Sequence, residues 1–267
     1  TVEKLGAAAV LNAKTGAVIT GQVEAVAVIT AAPTTLNVKS TGNNYIDFKA
    51  ATTETLNVSG TGTLMLDEAT ADDLNGLKTI KVTETAGLIL NSNGGSAASA
   101  ITSVDTTDTT GFTAITILGD KATYSGGAGA DYVTISNAGT IISKAVSLGG
   151  GDDKLTLVGA VATPTATLDG GTGTNTIAMN NASAVEVTKN ANFGAKIDNF
   201  QKLEITDKQT VAGTVNLTNL DNISYVISNG SDAAAAPATK TTFTLDVAGS
   251  SATTGTAGDT VTFNLKT

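Results

Sequence analysis

The chain has no cysteine, no histidine and no tryptophan, and each of its 15 basic residues is a lysine. These absences remove the thiolate nucleophile, the imidazole base and the bidentate guanidinium clamp, so catalysis would rest on carboxylates, hydroxyls and lysine alone. They also remove any disulfide framework, without deciding the compartment. Positive charge is scarce: 24 acidic residues against 15 lysines give a net charge of −9, with a pI near 4.4. Neutralising phosphates needs a basic face, so the charge argues against nucleic acid as a partner and leaves cations as the natural counterpart. No apolar run approaches the roughly 18 residues of a membrane span, so no membrane-inserted helix is expected. No charged segment followed by an apolar one opens the chain, so no cleavable signal is visible. The ends, TVEKLG and FNLKT, fall in mid-pattern, and the chain is therefore expected to be a fragment of a larger protein.

What is present is repetition. The spacing apolar-x-x-apolar-x-apolar recurs at Val23-Val26-Val28, Leu77-Ile80-Val82, Phe112-Ile115-Ile117, Phe200-Leu203-Ile205 and Leu220-Ile223-Tyr225. TTLNVKS, beginning at Thr34, returns as ETLNVSG, beginning at Glu54. Each unit reads as a short period-2 strand, entered through one apolar residue three positions earlier. Long helical periodicity is absent, although TADDL at 70–74 suits one capped turn. Short strands recurring about every 20 residues fit a solenoid, in which each coil adds a rung and like residues stack on like. An aromatic content of 4% fits a narrow interior. A β-sandwich is the competing architecture, since it too has short strands and frequent turns. The expected parallel rungs surround Val26, Leu36, Leu56, Ile80, Ile115, Val133, Leu155, Ile177, Leu203 and Val215. They divide into N-terminal rungs over 1–90, rungs over 112–228 and C-terminal strands over 229–267 of one elongated region.

Three glycine-rich stretches stand out: GGAGADYV at 126–133, LGGGDDKL at 148–155 and GGTGTNTI at 170–177. A phosphate-binding loop would need a helix after the glycines, whereas β-formers follow each of these. Asp131, Asp153 and Asn175 are equally spaced along the chain, and a constant interval stacks the loops on one edge of a solenoid. Glycines allow positive φ and hence carbonyls turned to one side, with the carboxylate entering at the end of the turn. About six oxygens with no nitrogen or sulfur suit a hard cation, and Ca²⁺ is the expected cofactor. The candidate metal residues are Gly127, Gly129, Asp131, Gly149, Gly151, Asp153, Gly171, Gly173 and Asn175, with Asp152 and Asp169 as auxiliary ligands.

These nonapeptides resemble those of the RTX proteins, whose family fold is a parallel β-roll binding Ca²⁺ between stacked loops. The strands around them, such as TLNVSGTGTLML at 55–66 and LNGLKTIKV at 74–82, are similar to the calcium-dependent surface-layer proteins of Gram-negative bacteria. The resemblance implies an all-β, right-handed parallel β-solenoid or β-roll with short strands, type I secretion, an extracellular place on the bacterial surface, and self-association into a lattice. The chain departs from the family in two ways. Its glycine turns recur at more than twice the family's nine-residue interval, which predicts cations on one edge only. Asn175 stands where the family has Asp, and Leu148 where it has Gly, so the last site is expected to be weaker or to act as a cap.

The acidic pairs Asp67-Glu68 and Asp72-Asp73 read as solvent-facing turn residues, and the chain is expected not to be an enzyme. Sequons at Asn57, Asn181, Asn216, Asn222 and Asn229 are mostly what chance supplies in a chain rich in Ser and Thr. NSNGGSAASA from Asn91 and NGSDAAAAPATKTT from Asn229 read as loops or lattice contacts. Three functions remain in play. The first is a calcium-stabilised structural segment of a surface layer. The second is an RTX-type adhesin or biofilm-matrix segment contacting glycans, cell-surface polysaccharide among them, or another surface, for which 4 Tyr and 6 Phe show no evident aromatic platform. The third is a β-helix polysaccharide lyase or epimerase, poorly served without Arg or His.

Overall fold

The computed structural model describes residues 25–29, 33–67, 74–91, 100–207, 213–220 and 222–228, together with the short strand segments 11–12, 17–18, 241–244 and 262–265. The protein is a β-solenoid of two parallel sheets, one of eight strands and one of eleven. Between residues 25 and 205 the winding alternates between them, one strand to each sheet per coil. The eight-stranded sheet runs β4 (Thr35–Ser40), β6 (Thr55–Gly60), β8 (Thr79–Glu84), β10 (Ser103–Thr109), β12 (Thr123–Ser125), β14 (Val146–Ser147), β16 (Leu168–Asp169) and β18 (Ile197–Asp198). The second sheet runs β3 (Ala25–Val28), β5 (Asn44–Lys49), β7 (Thr63–Asp67), β9 (Gly87–Asn91), β11 (Thr113–Ile117), β13 (Asp131–Ile135), β15 (Lys154–Leu157), β17 (Thr176–Met179), β19 (Lys202–Ile205), β21 (Tyr225–Ser228) and β23 (Thr262–Leu265).

The period-2 pattern explains this arrangement. In β4 the residues Leu36, Val38 and Ser40 face inward while Thr35, Asn37 and Lys39 face out, and β6 alternates in the same sense. Parallel, in-register pairing then places each inward residue on its counterpart one coil away. One column descends through Leu36, Leu56, Ile80, Val104, Tyr124, Val146, Leu168 and Ile197. The facing column descends through Ile46, Leu66, Leu90, Ile115, Val133, Leu155, Ile177, Leu203 and Val226. Nearly all of these side chains are fully buried, at about 1.5–3 kcal/mol of transfer free energy for each large one. Outside the core the repetition continues in polar side chains: Asn57 Nδ2 donates to Asn37 Oδ1 at 2.8 Å.

The expected rungs are therefore present, but they fall into two sheets. Leu36, Leu56 and Ile80 belong to the first; Val26, Ile115, Val133, Leu155, Ile177 and Leu203 belong to the second. Val215 lies outside both. Its strand β20 (Gly213–Asn216) pairs in parallel with β22 (Thr241–Thr244) as a separate two-stranded sheet. Strands β1 (Leu11–Asn12) and β2 (Ala17–Val18) form an antiparallel pair.

A short helix, α1 (Asn181–Val187), lies on the long connection between β17 and β18. Asn180 caps it by accepting from Ser183 N at 2.8 Å. Ser183 Oγ in turn donates to Gly159 O at 2.9 Å and accepts from Val161 N at 3.1 Å, tying the helix to the preceding coil. The expected turn at 70–74 lies outside the described residues except for buried Leu74. Val23, Glu68, Asp72, Asp73, Asn229 and the stretch 92–99 also lie outside them. Among the described residues no helix is long and apolar enough to cross a membrane.

Candidate metal centre

The three glycine stretches form the turns that carry the chain from the first sheet to the second, between β12 and β13, β14 and β15, and β16 and β17. They stack on a single edge. Gly150 pairs with Thr172 as an isolated parallel bridge. Gly150 N donates to Gly127 O at 2.7 Å, Thr172 N to Gly149 O at 2.7 Å and Gly151 N to Thr172 O at 3.0 Å. The loops thus continue the sheet ladder around the corner. Contact between successive backbones is what demands glycine: a Cβ on Gly171 would collide with Gly149 O, and one on Gly151 would sit 2.7 Å from Gly129 O. Positive φ is a second demand only in the later loops, at Gly149, Gly151, Gly171 and Gly173. In the first loop Gly127 and Gly129 are needed for close approach alone, because their Cβ positions fall against carbonyls at Thr106, Thr109, Thr110 and Gly111.

Asp131, Asp153 and Asn175 stand at the start of β13 or directly before β15 and β17, at the same point of each coil, and their side chains turn inward. Their exposures are 1%, 2% and 0%. Each of the later two side chains accepts the backbone N–H of the coil before it. Asp131 N donates to Asp153 Oδ1 at 2.8 Å, and Asp153 N donates to Asn175 Oδ1 at 3.0 Å. The ladder has a fourth member that the repeat does not announce: Asn175 N donates to Gln201 Oε1 at 2.7 Å. Gln201 stands directly before the Lys202–Leu203 strand start, as Asp153 stands before Lys154–Leu155, and that alignment is the available sequence signal. Asn175 Nδ2 donates to Gly171 O at 3.3 Å and to Asn199 O at 3.0 Å, so its amide is satisfied on both sides.

The two carboxylates are not satisfied. Asp131 Oδ2 accepts from Gly127 N at 3.3 Å, but Asp131 Oδ1 and Asp153 Oδ2 are buried with no hydrogen bond of good geometry, although the Tyr124 and Thr113 hydroxyls lie near enough to Asp131 to favour its charged form. The buried Thr113 Oγ1 is in the same position. An ionised buried carboxylate with an unmet oxygen is costly, and the group takes up a proton or a cation instead. Burial accordingly pushes Asp131 up to about 6, against the lowering influence of the nearby Tyr124 and Thr113 hydroxyls and the Gly127 N–H. Burial also pushes Asp153 up to about 7, opposed by the Asp131 N–H and assisted by the Asp131 and Asp152 charges.

The auxiliary candidates separate from this column. Asp152 is exposed, and its Oδ1 accepts Thr174 N of the next coil at 2.9 Å. Asp169 Oδ1 accepts Gly171 N at 2.8 Å and Asn199 Nδ2 at 2.7 Å. Both fasten loops in place. Among the described residues no group of three or more His, Cys, Asp or Glu side chains comes together. A cation on this edge would therefore draw on the two orphaned carboxylate oxygens and on loop carbonyls, an all-oxygen donor set that suits Ca²⁺. The carbonyls of Gly127 and Gly149 point along the stack to the next coil and each already accepts one N–H, which leaves each a second lone pair.

No protein-family model, curated protein or solved structure matches the chain.

Proposed function

We propose that the protein is an extracellular, calcium-stabilised β-solenoid segment of a self-assembling bacterial surface layer, structural and not catalytic. The observation that carries the calcium reading is the pair of buried, half-satisfied aspartates one coil apart in stacked glycine loops. Asp131 and Asp153 would hold the ion with loop carbonyls, and its charge would replace the protons that burial otherwise draws onto them. The resemblance of the repeats to RTX and surface-layer proteins supports the surface location and the lattice. Long parallel sheets that end in strand edges also favour association through flanking chain or neighbouring copies. A second reading, an adhesin segment, is favoured by a groove on the outer face of the eleven-stranded sheet.

Calorimetric titration with Ca²⁺ tests the first reading. Extracellular modules bind at about 10⁻⁴ to 10⁻³ M, and a hundredfold excess over the dissociation constant adds about 2.7 kcal/mol of stability per site. Asp153 supplies one of the two unmet oxygens whereas the Asn175 amide is already satisfied, so Asp153→Ala should weaken binding far more than Asn175→Ala. Equal losses would contradict that role of Asp153, and no heat of binding would remove the cation. Electron microscopy of the parent protein with and without Ca²⁺ tests the lattice: ordered sheets are expected only with the ion.

A further inference from the structure

The outward residues of the eleven-stranded sheet form two columns beside the glycine edge. One passes through Ala114, Tyr132, Lys154, Thr176, Lys202 and Tyr225, the other through Thr116, Thr134, Thr156, Ala178 and Glu204. On β17 both outward residues, Thr176 and Ala178, are small and covered. Lys154 reaches across them to Glu204, Nζ to Oε2 at 2.8 Å, in a partly buried ion pair spanning two rungs. The result is a groove of about 630 Å³ whose lining includes Phe112, Tyr132, Asp152, Lys154, Lys202 and Glu204. Phe112 and Tyr132 meet edge to face, centroids 5.2 Å apart at 72°. At the far end Lys202 Nζ lies 5.9 Å over the Tyr225 ring.

We infer that this groove binds a short stretch of neutral, pyranose-based glycan. Tyr132, steadied by Phe112, offers an aromatic surface for the apolar C–H face of a sugar ring. The Lys154–Glu204 pair sets a donor and an acceptor side by side, which matches vicinal hydroxyls, and threonine hydroxyls flank it. Three rungs separate Tyr132 from Lys202, about 14 Å at the strand spacing, room for a short oligosaccharide. Charge selects against the other glycans: the lining sets Lys154 and Lys202 against Asp152, Asp153 and Glu204, and a chain of net charge −9 repels polyanions. The inference gives the adhesin reading a ligand class. The groove shares Asp153 with the calcium reading, so glycan binding is measured on the calcium-loaded protein, and the calcium and lattice tests are read without glycan.

Cellohexaose, maltoheptaose and chitohexaose are titrated separately into the calcium-loaded protein, read by calorimetry and by tyrosine fluorescence, which no tryptophan masks. At least one is expected to bind. Tyr132→Ala should then weaken it about tenfold, the equivalent of one good aromatic contact, and Tyr132→Phe should keep it within about twofold. Glu204→Gln should weaken it severalfold while its melting temperature stays near that of Tyr132→Phe. No binding of any of the three overturns the inference, as does equal binding by Tyr132→Ala. Preferential binding of polygalacturonate overturns the assignment to neutral glycans.

Discussion

Asp153 carries a carboxylate into the solenoid with one oxygen bonded to the Asp131 N–H and the other bonded to nothing. In the absence of divalent cations this has a definite pH signature. The folded pKa values, about 6 for Asp131 and about 7 for Asp153, lie above the unfolded value of about 3.9. The folded state therefore binds more protons than the unfolded state between those limits, and stability falls as pH rises from about 4 to 7. Denaturant titration in chelator is expected to show a loss of a few kcal/mol over that window, since each tenfold change in proton affinity is worth about 1.4 kcal/mol. Calcium should flatten the trend, because a bound cation keeps the carboxylates ionised. Asp153→Asn should raise stability at pH 8 in chelator and abolish most of the gain from calcium. A chelated protein whose stability climbs with pH would contradict the buried, unpaired state. Gly171→Ala probes the backbone of the same edge. With φ at +74° and the Gly149 carbonyl against the Cβ position, it should cost more than the roughly 1–2 kcal/mol of left-handed strain alone, measured the same way.

At the scale of the element, β15 and α1 are stabilised differently. Leu155 is fully buried between Val133 and Ile177, so Leu155→Ala should cost about 2–5 kcal/mol. The outward neighbour in Thr156→Ala should stay within about 0.5 kcal/mol. Asn180→Ala removes the cap of α1 and should cost about 1 kcal/mol. Thermal melts of the three variants rank these effects, and a Leu155→Ala variant as stable as Thr156→Ala would mean that β15 is not a core rung. These elements differ in how legible they are from sequence. The strands can be read because burial alternates with period two, and the loops because Asp131, Asp153 and Asn175 keep a constant interval. Helix α1 cannot, since seven residues are too few for a 3.6-residue period to emerge. Nor can the partition into two sheets, which depends on which turns reverse the chain. Gln201 is hidden because the α1 insertion lengthens its coil, and the Phe112–Tyr132 contact because the two rings share no repeat position.

For the whole molecule, each coil packs mainly on its neighbours, with the Lys154–Glu204 pair reaching one coil further, and stability is close to a sum of coil and interface contributions. Chelation should therefore loosen one part of the solenoid and spare the rest. Hydrogen exchange is expected to accelerate about tenfold or more for amides at 126–131 and 148–153 when calcium is removed, with little change in β4, β6 and β8. A uniform change along the chain would show that the coils unfold as one unit and that the loops hold no separate ion.

Parallel pairing between successive coils also governs the order of events in time. Within the two main sheets through β21, each strand finds its partner a single coil away along the chain, as in Thr113 with Asp131 and Leu168 with Ile197. No strand there waits for a distant part of the chain, so loop closure is brief at each step. A coil already wound offers its open strands as the template for the next segment to arrive. The chain can therefore fold progressively from whichever end first becomes free, growing by one coil at a time.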